Sequence, residues 1–243
     1  MDDTTARALN TLNQTFYTDS AALFAATRRA PWPGWRELLP LLRGRSAASI
    51  LDVGCGNGRF ASYLSTALGA PFLYCGIDAS APLLALAERA LAGVGTARLL
   101  RADIVLEPAA SALPDERFDC VAAFGLLHHI PQEARRRALL RSLAEHVAPG
   151  GILVLTFWDF ARESRFARRA IRDVPPELEG QLEAGDVLLR WGAEGSTRLR
   201  YCHYTDAAEE ARLLAELPLE PRLSFASDGR SGRLNRYRVL LRR

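Results

Sequence analysis

The segment from Ile50 to Phe60 reads ILDVGCGNGRF and combines an acidic side chain with three closely spaced glycines. An apolar run ends at Asp52, and Gly54, Gly56 and Gly58 follow at alternate positions. Glycines accept backbone angles that other residues resist, and they let a ligand approach the main chain closely. A helix that begins after them points free N–H groups at that ligand. The pattern predicts a ligand-binding turn between a strand and a helix, as used for dinucleotides, nucleoside triphosphates and S-adenosylmethionine.

Two further acids at predicted strand ends discriminate among these ligands. Asp78 lies 20 residues after Gly58, where a carboxylate can accept hydrogen bonds from ribose hydroxyls. Asp103 ends the next predicted strand, in a position to accept a hydrogen bond from the exocyclic amine of adenine. No Gly-Lys-Ser/Thr follows the glycines, which argues against a Walker-type phosphate loop. The spacing G-x-G-x-G also departs from the dehydrogenase pattern G-x-G-x-x-G, so a dinucleotide-binding domain is the weaker alternative.

Apolar runs alternating with helical patterns predict the elements that position these residues. The predicted fold is an α/β, doubly wound, Rossmann-like sheet, mostly parallel with an antiparallel C-terminal hairpin and with helices on both faces. The turn-rich sequence SDGRSG joins the two hairpin strands. The predicted strands are 49–54, 72–77, 97–102, 118–124, 151–157, 221–226 and 235–241, and the predicted helices are Arg59–Leu68, Pro82–Leu91 and Gln132–Val147.

We interpret residues 1–243 as a single domain with additions to a central core. A helical extension at 1–46 precedes a cofactor-binding core at 48–158. An arginine-rich insertion or lid follows at 158–203, and a closing helix and hairpin occupy 204–243.

Composition sets limits on compartment, metals and partners. All 31 basic residues are arginine, and the net charge of +3 does not by itself indicate nucleic acid binding. The four cysteines are scattered and have no histidine at ligand spacing, so no metal site is expected. The first residues lack the apolar core of a signal peptide, and no apolar run approaches the length of a membrane span. These features predict a cytoplasmic protein with no membrane partner.

Across residues 48–158 the chain resembles the class I S-adenosylmethionine-dependent methyltransferases. The resemblance implies S-adenosylmethionine as the cofactor and S-adenosylhomocysteine as the product. It also implies that the glycine turn surrounds the methionine part, that Asp78 binds the ribose, and that Asp103 binds adenine. The cofactor-binding residues that it implies are Asp52, Gly54, Gly56, Gly58, Asp78, Ala79, Asp103, Ile104 and Phe124.

The loop after the fourth predicted strand bears on the methylated atom. It carries neither the Asn/Asp-Pro-Pro-Tyr/Phe motif of nucleic-acid amine methylation nor a Pro-Cys or Thr-Cys nucleophile. It carries His128 and His129 instead, and histidines there are common in oxygen-methylating enzymes, as a base or a hydrogen-bond donor. We predict a catalytic His129 and a substrate-binding His128. The alternative for each is that it only packs or caps the next helix.

Segments outside the core carry a narrower resemblance. Four motifs occur in an order similar to that of the tRNA wobble-uridine carboxymethyl methyltransferases, which esterify a carboxymethyl group. The motifs are FAATRRAPWPGW, HHI, GDVLLRWG and RLRYCHYTDAAEEARLL. This resemblance implies tRNA as the acceptor and a small zinc-binding activator protein as a partner. It implies that Arg28 and Arg200 hold the acceptor carboxylate or a nearby phosphate; the alternative for Arg28 is the carboxylate of the cofactor. Further implied substrate-binding residues are Trp32, which stacks on a base, and Tyr201 and His203. The alternative for Trp32 is that it packs the N-terminal segment on the core.

Arginines in the insertion and tail are candidates for contacts with tRNA phosphates. Arg162, Arg165, Arg169 and Arg172 recur at helical spacing, and Arg165 and Arg169 are predicted to bind substrate. The alternative is an ordinary solvated face. Two other functions stay open at this point: a small-molecule carboxyl or hydroxyl O-methyltransferase with the insertion as a lid, and a non-catalytic adaptor that binds tRNA or a partner.

Overall fold

The computed structural model describes residues 1–44, 47–94, 96–106, 112–171, 175–192 and 198–243. Over these residues, none of the helices combines the length and apolar character needed to cross a bilayer. The strands are β1 (Ala48–Val53), β2 (Phe72–Asp78), β3 (Ala97–Arg101), β4 (Phe118–Ala123), β5 (Val147–Trp158), β6 (Asp186–Arg190), β7 (Leu199–His203), β8 (Glu220–Ser227) and β9 (Asn235–Leu241).

Seven of these strands form one sheet in the order β3-β2-β1-β4-β5-β9-β8. The first five are parallel, whereas β9 runs antiparallel to both β5 and β8. The order reverses at β1, and in such sheets ligands bind at the carboxyl ends of the strands beside that reversal. The predicted Rossmann-like sheet with an antiparallel C-terminal hairpin is confirmed.

Helices cover both faces of this sheet. Along β1, Ile50 belongs to one hydrophobic cluster, while Leu51 and Val53 belong to the cluster on the other face. This alternation is the period of a strand that is buried on both sides. Aspartate or serine side chains cap the helices that begin at Asp3, Ala81 and Ala207. The α-helices are α1 (Asp3–Ala26), α2 (Leu39–Leu42), α3 (Arg59–Ala67), α4 (Ala81–Ala90), α5 (Glu133–Glu145), α6 (Ser164–Ala167) and α7 (Ala207–Ala215).

Two local predictions are wrong. The predicted helix Gln132–Val147 and the predicted strand 151–157 leave 148–150 as a connection, but these residues lie inside β5, where the register with β4 is irregular. The predicted helical row of arginines is not on one helix. A 3-10 turn at Phe160–Arg162 and the four-residue helix α6 divide that segment, and Arg172 lies outside the described residues.

The insertion contributes a two-stranded sheet that packs on α1. Strands β6 and β7 pair antiparallel, and Leu188 and Tyr201 from them share a hydrophobic cluster with Leu9 of α1. Buried charges join the same hairpin to the core. His203 lies 2.7 Å from both Asp186 Oδ1 and Glu209 Oε2. The hairpin is therefore fixed against α1 and α7, and it holds Arg200 of β7 over the sheet edge.

Candidate active site

A cavity of about 1160 Å³ opens at the carboxyl ends of the parallel strands. The glycine turn after β1 and the ends of β2, β3 and β4 form its floor. One face of α1, the insertion and the turn between β8 and β9 form its walls. Pockets for drug-sized ligands are about 300–1000 Å³, so this cavity has room for a cofactor together with an acceptor.

Gly56 and Gly58 serve different purposes in the glycine turn. At Gly56 φ is +57°, the residue lines the cavity, and an added Cβ would meet no atom within 4 Å. At Gly58 φ is +72°, and an added Cβ would lie 3.1 Å from Cβ of Ala87 in α4. Gly58 is not among the cavity-lining residues. Gly56 therefore leaves open space for a ligand, whereas Gly58 starts α3 and allows it to pack on α4.

Asp52 and Asp78 present carboxylates to the cavity behind this turn. Tyr74 donates to Asp52 Oδ2 at 2.7 Å, while Asp52 Oδ1 has no hydrogen-bond partner within the described chain. Burial raises the pKa of Asp52 to about 7. Asp78 accepts the amides of Gly56 and Ser80, both at 2.8 Å, although burial still raises its pKa. Each Asp78 oxygen retains a lone pair, so this carboxylate suits a vicinal diol.

Asp103 is already engaged by α1. Its Oδ2 accepts from Asn10 Nδ2 at 2.8 Å and from Gln14 Nε2 at 2.6 Å. Its Oδ1 accepts the amides of Val105 and Leu106 at 3.0 and 3.4 Å. Both lone pairs of Oδ2 are thus in use, and a ligand amine must displace one of the two side-chain amides.

The histidine loop holds two buried neutral imidazoles. The Nε2 atom of His129 lies 2.7 Å from the Tyr17 hydroxyl, and its Nδ1 lies 3.1 Å from the Tyr201 carbonyl. Burial, helped by the charge of Arg200, lowers the pKa of His129 to about 3. Burial likewise lowers the pKa of His128 well below its usual range, and its Nδ1 has no partner among the described residues. Both rings line the cavity as neutral groups at physiological pH.

Among the arginines that line the cavity, Arg28, Arg59 and Arg200 form no ion pair with a carboxylate in the described chain. Arg200 is only 5% exposed, and its Cζ lies 4.9 Å from the Trp158 ring centroid. Arg28 packs on Phe24 at 3.6 Å, and burial lowers its pKa to about 10. Burial lowers the pKa of Arg59 similarly, to about 10. A buried charge without a partner is costly, so this arrangement favours an anionic ligand.

Comparisons with known proteins agree with this geometry. A family model described as a methyltransferase domain matches residues 50–151. A protein of Encephalitozoon cuniculi named as a methyltransferase is 31% identical over 190 residues, which cover 77% of each chain. The chain belongs to the class I S-adenosylmethionine-dependent methyltransferases.

Other relatives of this methyltransferase differ in length and in what they show. The tRNA (carboxymethyluridine(34)-5-O)-methyltransferase of Arabidopsis thaliana is 31% identical over 149 residues, covering 60% of this chain and 32% of that protein. The chain thus spans about a third of that relative's length. A crystal structure of a methyltransferase from Methanosarcina mazei has a TM-score of 0.64 at 20% identity, covering 87% of this chain and 98% of that one. At that identity the likeness concerns the fold alone.

The cofactor half of the cavity fits S-adenosylmethionine. The open space at Gly56, the Asp52 Oδ1 that has no partner among the described residues, and the diol-binding capacity of Asp78 all suit its methionine and ribose parts. Ala79, Ile104 and Phe124 also line the cavity, as the resemblance implied. Their individual contacts with the cofactor stay predictions.

Two predicted substrate residues lie elsewhere. Tyr201 donates its hydroxyl to Asp186 at 2.6 Å, and His203 lies between Asp186 and Glu209; neither lines the cavity. Side chains alternate along β7, so Arg200 faces the cavity while Tyr201 and His203 face the opposite side. Trp32, His128, Arg165 and Arg169 do line the cavity.

Part of the cavity wall was not predicted from the sequence. Tyr17, Arg59, Trp158 and Trp191 line the cavity but were not proposed as site residues. Arg59 directly follows the glycine turn, and this position in the sequence could have identified it as a site residue. Tyr17 lies on α1 together with Asn10, Asn13 and Gln14, a helical spacing that puts all four on one face.

Proposed function

We propose that this methyltransferase esterifies a carboxylate, and that the carboxylate belongs to a carboxymethyl-type group on the wobble uridine of tRNA. The observation that carries the proposal is Arg200, a buried guanidinium that faces the cavity without an acidic partner in the described chain. A guanidinium binds a carboxylate with two parallel hydrogen bonds, which fixes its position and orientation. Such a contact would supply the missing counter-charge.

The chemistry requires little beyond orientation. S-adenosylmethionine supplies a methyl group activated by its positive sulfur. A carboxylate oxygen attacks that carbon, the carbon–sulfur bond breaks, and the sulfur leaves as a neutral thioether. The acceptor is already ionised at neutral pH, so no proton has to be removed. The contribution of the protein is to hold the oxygen in line with the methyl group.

The neutral histidines favour a carboxylate over a hydroxyl acceptor. Methylation of an alcohol or phenol needs a base with a pKa near the working pH. The pKa of His129 is lowered to about 3, and both of its ring nitrogens have partners. A small-molecule hydroxyl methyltransferase is therefore the less supported alternative. The carboxylate of a small molecule remains the competing acceptor, and the complete cofactor half argues against a non-catalytic adaptor.

Support for tRNA comes from the tryptophans and arginines of the cavity wall, which we call the acceptor half, and from the relative in Arabidopsis thaliana. Trp32, Trp158 and Trp191 line the cavity and offer flat surfaces on which a base can stack. Arg169 and Arg230 also line it, and neither has an acidic partner among the described residues. Arg236 and Arg238 of β9 fit this role less well, because both are paired with Glu210. A small zinc-binding activator protein stays a prediction of the resemblance.

Transfer of radiolabelled methyl groups tests the reaction and the acceptor together. We expect label in tRNA that carries 5-carboxymethyluridine, and we expect mild alkali to release it as methanol, because an ester hydrolyses and a methyl ether or amine does not. Arg200→Lys keeps the charge but loses the planar fork, and should slow single-turnover transfer at least about tenfold. Arg222→Lys, on exposed β8, is the matched control. Alkali-stable label would refute the carboxylate, and ester formation only on metabolites would refute tRNA.

A further inference from the structure

Two aromatic rings from different elements contact the guanidinium of Arg200. Its Cζ atom lies 4.9 Å from the ring centroid of Trp158, the last residue of β5, and 5.7 Å from the ring centroid of Phe16 in α1. The flat faces of a guanidinium are weakly hydrated and pack on aromatic rings, while its N–H groups point outward in the plane. This packing therefore uses the faces of the group and leaves its N–H groups to a ligand.

Contact with these rings is the main restraint on the plane of the guanidinium. Its Nε atom is enclosed and has no hydrogen-bond partner among the described residues, and no described carboxylate pairs with the group. Arg200 lines the cavity, so its two terminal amino groups are the part that can reach a ligand. They form a fork that matches the two oxygens of a carboxylate. The orientation of the plane decides where that fork points.

Both rings are themselves held in place. The ring centroid of Trp158 lies 4.7 Å from those of Phe160 and Phe166 and 4.8 Å from that of His128. The Phe166 ring meets it at 79°, an edge-to-face arrangement that aromatic pairs favour. Phe16 is buried in α1. The two rings therefore have little freedom to turn, and they can fix a group that packs on them.

We propose that Trp158 and Phe16 are positioning residues for Arg200: their rings hold the plane of the guanidinium so that its terminal N–H groups meet the acceptor carboxylate. The inference rests on the proposed carboxylate methylation. It assigns Trp158 to Arg200 rather than to base stacking, which Trp32 and Trp191 would then supply.

Two RNA stem-loops that differ only in the carboxylate test this role. One carries 5-carboxymethyluridine and the other unmodified uridine, and each is titrated in the presence of S-adenosylhomocysteine. The unsubstituted protein should bind the carboxymethyl stem-loop at least about tenfold more tightly, because hydrogen bonds to a charged group are strong. Trp158→Leu should reduce that preference about fivefold and Phe16→Leu about twofold, while Trp158→Phe, which keeps an aromatic face, should retain most of it. Single-turnover transfer at saturating stem-loop should follow the same order.

A double-mutant cycle separates positioning from a general loss of packing. In the Arg200→Lys background, which lacks the fork, Trp158→Leu should change the preference less than about twofold. Phe118→Leu is the matched control, because it removes a buried ring at the start of β4, outside the cavity lining. It should leave the preference unchanged, and thermal unfolding of each variant checks the fold.

The outcomes distinguish this inference from the proposed function. Equal losses of affinity for both stem-loops in Trp158→Leu would mean that the ring stacks on a base, which would overturn the positioning role while carboxylate recognition stands. An equal effect of Trp158→Leu in both Arg200 backgrounds would also overturn it. If the unsubstituted protein binds the two stem-loops equally, or binds neither, the proposed acceptor fails and the inference fails with it.

Discussion

Replacement of Gln14 should tighten cofactor binding, which is unusual for a change in a cofactor pocket. Gln14 and Asn10 together use both lone pairs of Asp103 Oδ2, the oxygen predicted to accept the adenine amine. If adenine binds there, one of the two side-chain amides has to leave. Gln14→Ala removes one competitor before the cofactor arrives, and the cost of displacing it disappears.

The expected gain follows from the hydrogen bond that is lost. A hydrogen bond to a charged group contributes about 1.5–3 kcal/mol when it is well shielded. The Gln14 contact is exposed, and Asn10 stays bound to the same oxygen, so about 1 kcal/mol is the more realistic figure. That energy corresponds to roughly a fivefold lower Kd for S-adenosylhomocysteine, since about 1.4 kcal/mol is tenfold.

Calorimetric titration with two ligands separates this effect from a general loosening of α1. S-adenosylhomocysteine has the adenine amine, whereas S-inosylhomocysteine carries a carbonyl in its place. Only the adenine compound should gain affinity in Gln14→Ala, and Gln181→Ala, which removes an exposed glutamine outside the cavity lining, should change neither. Weaker binding of S-adenosylhomocysteine, or an equal gain for both ligands, would refute the competition at Asp103.

Three further predictions concern stability. His203 lies between two carboxylates that raise its pKa above 6.5. The free energy of unfolding should therefore fall as pH rises through that raised pKa. In urea titrations, His203→Gln should make the free energy of unfolding less dependent on pH. Burial raises the pKa of Asp52, so Asp52→Asn should increase the free energy of unfolding at neutral pH by about 1–3 kcal/mol while weakening cofactor binding in calorimetry. Gly58→Ala should lower the free energy of unfolding by about 1–3 kcal/mol, whereas Gly56→Ala should mainly reduce cofactor affinity. Thermal melts of both variants, with and without cofactor, would show the difference.

The cofactor half of the site was predictable because its chemistry lies at strand ends. Asp52, Asp78 and Asp103 each follow an apolar run, and parallel strands bring such ends to one edge of a sheet. The distinct roles of Gly56 and Gly58 were not predictable from spacing. They depend on whether α4 or open space lies opposite each Cα, which only the packing of α3 on α4 decides.

The acceptor half was harder to predict, because its residues come from elements whose faces are ambiguous in sequence. The polar side of α1 looks like a solvent-facing side, yet Asn13 is buried and Tyr17 reaches His129. The assignment of Tyr201 and His203 to the pocket failed because β7 was not predicted as a strand. Because side chains alternate along β7, Tyr201 and His203 face away from the cavity when Arg200 faces it.

The electrostatics of the acceptor half also limit which acceptors are suitable. Arg28 and Arg200 both contribute to the lowered pKa of His128 and His129, so the potential at this wall is positive. Methyl transfer to a neutral amine would move the cofactor's positive charge onto the acceptor and leave a cation beside these guanidiniums. Transfer to a carboxylate instead combines a sulfonium cation and an anion into two neutral products. Where burial disfavours charge, the loss of both charges is favourable relative to their relocation, because a buried charge is costly without a partner. Under the proposed function, the ester product would no longer have the negative charge that Arg200 holds, so the contact that orients the acceptor would weaken when the product forms.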